Sequence, residues 1–130
     1  MSYYYSKFLT TDFNLSIESL VAKLKEKGFG VLSEIDVEAT LKKKIKVDFH
    51  KYVILGACNP HFAHQALLLE DKVGVMLPCN VIIQQRSLND PVEVTAVDPV
   101  SSMMAIENEN LFSLLEEVRV LLNQVIDELE

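Results

Sequence analysis

The sequence predicts an α+β fold: a single two-layer domain of 130 residues, with a small, mixed but mostly antiparallel sheet and helices packed mainly on one face. Three observations lead there. Short apolar runs of strand length alternate with stretches of helical period. The turn-rich segment "RSLNDP" separates two such runs as a hairpin connection would. The chain then closes on one long amphipathic helix. A chain of this length can bury one sizeable core, so residues 1–130 are expected to form one domain.

The elements follow in order. Tyr3 to Thr10 is aromatic and β-favouring, an opening strand. Asn14 or Ser16 can cap a helix whose apolar positions Ile17, Leu20, Val21 and Leu24 share a face, with Gly28 as its stop. From Phe29 to Val37 the period becomes two: Phe29, Val31, Ile35 and Val37 fall on one side, and Gly30, Glu34 and Asp36 on the other. Asp36 can also cap a short helix over Val37 to Ile45. "YVILGAC", Tyr52 to Cys58, is a continuous apolar run, as expected of a central strand. Asn59 then caps, and Pro60 opens, a helix to Glu70. A short loop leads to a second apolar run, Val75 to Gln85, so the unit admits a right-handed parallel crossover.

Pro78 cannot donate to a ladder and marks an edge or a bulge in that run. Val92 to Asp98 folds back on it. If Gln85 faces Val92, antiparallel counting sets Cys79 opposite Asp98. In the last segment, Leu111 to Glu130, the residues Leu115, Val118, Leu122, Val125 and Leu129 repeat at spacings of three and four. Leu111, Leu114, Leu121 and Ile126 widen that stripe beyond a coiled-coil seam, which predicts packing across the sheet.

Composition excludes several classes. A net charge of -7 repels phosphate backbones, and the one basic cluster, Lys42, Lys43, Lys44 and Lys46, reads as a solvated helix face, so no nucleic-acid partner is expected. No apolar run reaches the roughly 18 residues of a membrane span, and "MSYYYSKF" lacks the layout of a signal peptide. No membrane partner and a cytoplasmic location are expected, where the two cysteines would stay reduced. With four glycines and no phosphate-binding loop, the sequence points to no nucleotide and specifies no cofactor.

Read together, "GFGVLSEIDVEATL", "YVILGACNPHFAHQAL", "GVMLPCNVII" and "VTAVDPVSSMM" resemble the family called domain of unknown function 302. The resemblance runs from Gly28 to Met104. It rests above all on the two Cys-Asn pairs, Cys58-Asn59 and Cys79-Asn80, with Glu34, Asp36, Gly56, Pro60, His64, Leu77, Pro78, Asp98 and Pro99 at matching positions. It implies a compact α+β domain that forms a homodimer, and no established activity. His61 stands outside the pattern.

Three chemistries compete for these residues. The first is binding without catalysis: a pocket around the two Cys-Asn motifs, with Glu34, Asn59, His64, Asn80 and Asp98 orienting a small polar ligand or a partner chain. The second is thiol chemistry, redox or sulfur transfer. A thiol just before a capped helix lies near unpaired N–H groups that favour the thiolate, so Cys58 is the candidate nucleophile, Cys79 its resolving partner and Asp98 or Glu34 a proton carrier. The third is zinc or copper held by Cys58, Cys79 and His64, with His61 on the same helix face as His64. Paired Cys-x-x-Cys elements, the stronger zinc signal, are absent. Glu34 and Asp36, about 6.6 Å apart along one strand face, could act as an acid/base pair, although Asp36 has its use as a cap. Met103 and Met104 read as packing. The binding reading is preferred.

Overall fold

The computed structural model describes residues 2–130. Five strands, β1 (Tyr4–Leu9), β2 (Gly30–Asp36), β3 (Lys51–Cys58), β4 (Cys79–Gln85) and β5 (Val92–Val97), form one sheet in the order β1-β5-β4-β3-β2. Every pairing in it is antiparallel. The helices are α1 (Phe13–Glu26), α2 (Val37–Ile45), α3 (Pro60–Leu69), the short α4 (Pro99–Ser102) and α5 (Glu109–Asp127).

Alternation along the three central strands sends Val53, Leu55 and Ala57 of β3, Cys79, Val81 and Ile83 of β4, and Val92, Val94 and Ala96 of β5 to one buried face. Leu20 and Leu24 of α1 and Leu122, Val125 and Ile126 of α5 close over that face to make the main core. A second, smaller cluster gathers Ala66 of α3, Val73, Val100, Met103 and Leu111, Leu114 and Leu115 of α5. Both clusters use the wide stripe of the last helix, as its spacing predicts.

The caps explain the helix boundaries. The Asp12 carboxylate accepts from the backbone N–H of Asn14 (3.0 Å) and Leu15 (3.2 Å), so α1 starts before the expected Asn14 or Ser16. Ser16 is instead buried, its hydroxyl donating to the Asp12 carbonyl at 2.9 Å. Gly28 ends this helix at φ 91°, while the Phe29 N–H reaches back to the Leu24 carbonyl at 2.8 Å. Asp36 caps α2 through the Ala39 N–H at 2.9 Å. No residue of α2 is buried, as expected of a solvated lysine face.

Three expectations need correction. The parallel crossover does not form, because β3 and β4 pair antiparallel with Ala57 opposite Cys79. Helix α3 and a 3₁₀ turn (Asp71–Met76) fill the connection beyond the end of the sheet. The second apolar run is therefore not strand throughout. Its first two residues, Val75 and Met76, end that turn, the Leu77–Pro78 bond is cis, and β4 begins only at Cys79. Pro78 thus precedes the ladder, where its missing N–H costs no sheet bond.

The third correction concerns β2. Its register with β3 shifts between Val31 and Ser33, and this irregularity reverses the faces. Val31 pairs with Ala57 on the core side, but Ile35 pairs with Ile54 on the far side and is 47% exposed. A strict period of two over Phe29 to Val37 is broken by one residue, Leu32.

Candidate functional site

Where β3 ends and β4 begins, the two core clusters do not quite meet. An apolar cavity of about 40 Å³ remains at the seam, lined by Cys58 and Asn59, by Cys79 and Pro78, by Phe62 of α3 and by Leu115 of α5, among others. Both sequence-predicted cysteines are there. The ladder explains why: Cys79 stands opposite Ala57, the residue before Cys58.

The two thiols differ. Cys79 is buried, while Cys58, the last residue of β3, is half-buried. Burial pushes the Cys79 thiol up from its ordinary 9.0 to about 11, and the neighbouring Cys58 adds to the rise. At neutral pH Cys79 is a protonated, weakly polar thiol.

The residues after the cysteines separate. The Asn59 side chain turns back to cap α3, accepting from the Phe62 N–H at 3.4 Å. Its amide nitrogen lies so near Gly28 that a Cβ there would come to 3.0 Å. Asn80 points to the other face of the sheet and is exposed. Gly56 is required at this end of β3 by close approach, since a Cβ would meet the Ser33 hydroxyl and come within 2.8 Å of the Pro78 ring.

The remaining candidates are not gathered at the cavity. Asp98 is engaged as the cap of α4, accepting from the N–H groups of Val100 (2.9 Å) and Ser101 (3.1 Å), with the Arg119 guanidinium 3.9 Å away. Glu34 is exposed on the edge strand β2. Past the bulge, Glu34 and Asp36 still share one side of β2, but Asp36 is held as a cap. His61 and His64 lie exposed on α3 and do not line the cavity. The expected ligand set of Cys58, Cys79 and His64 is therefore not assembled, and no group of three or more His, Cys, Asp or Glu among the described residues could hold a metal ion. Met103 is buried in the second cluster and lines the cavity, as its reading as packing predicts.

The chain is matched over residues 5–129 by the family model described as "Domain of unknown function DUF302". It belongs to the DUF302 family. A structural relative of this DUF302 domain is the crystal structure of an uncharacterized conserved protein DUF302 from Bacillus stearothermophilus, 27% identical, with a TM-score of 0.92 over 100% of each chain. No curated protein matches the chain.

Sequence reasoning missed two features of this DUF302 chain. The first is the far wall of the cavity, Phe62, Leu114, Leu115 and Val118, which only the packing of α5 against α3 brings to the cysteines. The second lies on the open face of the sheet. There Ser6 donates to Glu93 (2.9 Å) and lies 2.7 Å from the Thr95 hydroxyl, Gln84 donates to Glu93 (3.5 Å), and His50 Nε2 meets Gln84 Oε1 at 3.0 Å. Arg86 adds an ion pair to Glu93 at 3.0 Å. A groove of about 380 Å³ runs beside this ladder between Tyr3, Tyr4, Tyr52 and Asn80. The sequence signal is the polar set at alternate positions, Gln84 on β4 with Arg86 just after it, and Glu93 and Thr95 on β5. No helix is long and apolar enough to cross a membrane among the described residues.

Proposed function

We propose that this domain is a homodimeric, cytoplasmic binding module whose site is the cavity shared by the two cysteines. The observation that carries the reading is the lining. Among the described residues, no carboxylate, ammonium, guanidinium or imidazole reaches the cavity, and Asn59 and the two thiols are its only polar side chains. Such a site selects a small apolar molecule, or an apolar group of a larger one, by shape and dispersion rather than by charge. Its size sets a second limit. A volume of about 40 Å³ is far below the roughly 300–1,000 Å³ of drug-sized sites, so the occupant is a few atoms across or α3 yields to admit it.

Exposed Tyr4, Phe8 and Ile35 on the open sheet face support a second copy as partner. The two unpaired thiols accord with a reducing compartment. A native mass spectrum of freshly purified protein tests both parts. A dimer carrying an added organic mass, lost when Ala63→Leu, at an α3 residue that lines the cavity, fills it while the dimer persists, is the expected result. A monomer would remove the partner. A retained mass unaffected by Ala63→Leu would place the ligand elsewhere.

A further inference from the structure

We propose that Cys58 and Cys79 are a redox-active dithiol that closes to an intramolecular disulfide when a hydroperoxide oxidises Cys58. This inference shares the cavity with the binding reading but does not depend on a ligand being bound there.

The geometry comes from the ladder. Cys79 is the register partner of Ala57, so Cys58 is its diagonal neighbour on the adjacent strand. Strands about 4.8 Å apart with an offset of one residue, about 3.3 Å, set the two Cα atoms about 6 Å apart. A disulfide needs about 4.4–6.8 Å. Regular alternation would send the two sulfurs to opposite faces of the sheet. Cys58, however, is the final residue of β3, where the chain leaves the strand for α3, and it lines the same cavity as Cys79. The nearness is also electrical, since Cys58 is one of the two causes that raise the Cys79 thiol.

The two positions divide the labour. Cys58 is half-buried and within reach of an oxidant, whereas Cys79 is only 9% exposed. The Cys58 thiolate attacks the hydroperoxide: an S–O bond forms, the O–O bond breaks, and the departing oxygen leaves as an alcohol or water with one proton. Cys58 is then a sulfenic acid. The Cys79 sulfur attacks that sulfur, the S–S bond forms, the S–O bond breaks, and the hydroxide leaves with the Cys79 proton as water. Two thiols and one hydroperoxide thus give one disulfide, one alcohol or water, and one water. An external thiol reduces the pair again.

The apolar lining favours this closure over further oxidation. Among the described residues, no charged side chain lines the cavity, and Cys79 is the one other thiol that does. Met103 shares the cavity but, as a thioether, cannot form the disulfide.

The test treats the reduced full-length chain, with no ligand added, with stoichiometric hydrogen peroxide and maps the cysteines by mass spectrometry of a non-reducing digest. The expected result is a link between the Cys58 and Cys79 peptides within one chain, reversed by dithiothreitol. Cys79→Ser should stall at a Cys58 sulfenic acid that dimedone traps, and Cys58→Ser should slow oxidation at least tenfold. Because the serine variants could fold poorly, the wild-type digest decides alone: Cys58 driven to sulfinic acid beside a free Cys79, a Cys58–Cys58 link between chains, or two thiols left unreacted would each overturn the inference. Since the protein is free of ligand, such a failure leaves the binding reading intact, and an empty native mass spectrum leaves this inference intact.

Discussion

The same two letters, Cys-Asn, occur at both ends of the β3–β4 connection and do opposite things. At Cys58-Asn59 the chain is leaving a strand, so the thiol is half-buried and the amide folds back to cap a helix. At Cys79-Asn80 the chain is entering one, so the thiol drops into the core and the amide, one residue on, must face the open side of the sheet. A shared motif is therefore not a shared environment. What the two pairs have in common is the cavity where both sulfurs stand.

The sharpest way to break this contrast is alkylation. With iodoacetamide at neutral pH, Cys58 should react first. Cys79, raised to about 11, should follow orders of magnitude later, its rate climbing about tenfold per pH unit until that pH is approached. Equal rates would show that Cys79 is not sequestered.

Stability should carry the same signature. A thiol held at about 11 in the folded chain and near 9.0 in the unfolded one binds its proton more tightly when folded. Its contribution is complete below about pH 9 and is lost as pH rises to about 11, an effect of roughly 2–3 kcal/mol. The difference in unfolding free energy between wild type and Cys79→Ala should shrink across that window.

The backbone between the motifs offers a third test. Gly56→Ala should cost about 1–3 kcal/mol in chemical denaturation, because the Ser33 hydroxyl can rotate from the new methyl but the Pro78 ring, 2.8 Å away, cannot. The amides give the smallest effects. Asn59→Ala removes a cap and should cost about 1 kcal/mol, while Asn80→Ala, on the exposed side, should stay within about 0.5 kcal/mol. Equal costs would mean that the two amides have the same role after all.

Much of the fold is legible from residue types. The register of the last hairpin is one case: the observed pairing of Gln84 with Glu93 and of Val81 with Ala96 is the register that sets Gln85 against Val92. Side-chain period fixes such pairings once a turn is recognised. The Asp36 and Asn59 caps are another case, since capping depends on the next three residues alone. Strand direction is different. An apolar run such as Tyr52 to Cys58 looks the same whether its neighbour is parallel or antiparallel, and the helix that follows suggested the wrong one. The bulge at Leu32 has no local signature: it is visible only in the pairing of β2 with β3, where Val31 stands against Ala57 and Ser33 against Gly56. The cavity shows the same division: its two cysteines stand out in the sequence, whereas Phe62, Leu115 and Val118 look like ordinary helix core until α5 is laid beside them.

The central claim is that two segments far apart in sequence enclose one apolar site. Xenon binds dry apolar cavities without needing any polar contact, so the most direct measurement is the NMR spectrum of the reduced protein under xenon pressure. The account predicts saturable shifts confined to Cys58, Cys79, Phe62, Met103 and Leu115. Shifts confined to Tyr4, Tyr52 and Asn80 on the open face, or none at all, would contradict it.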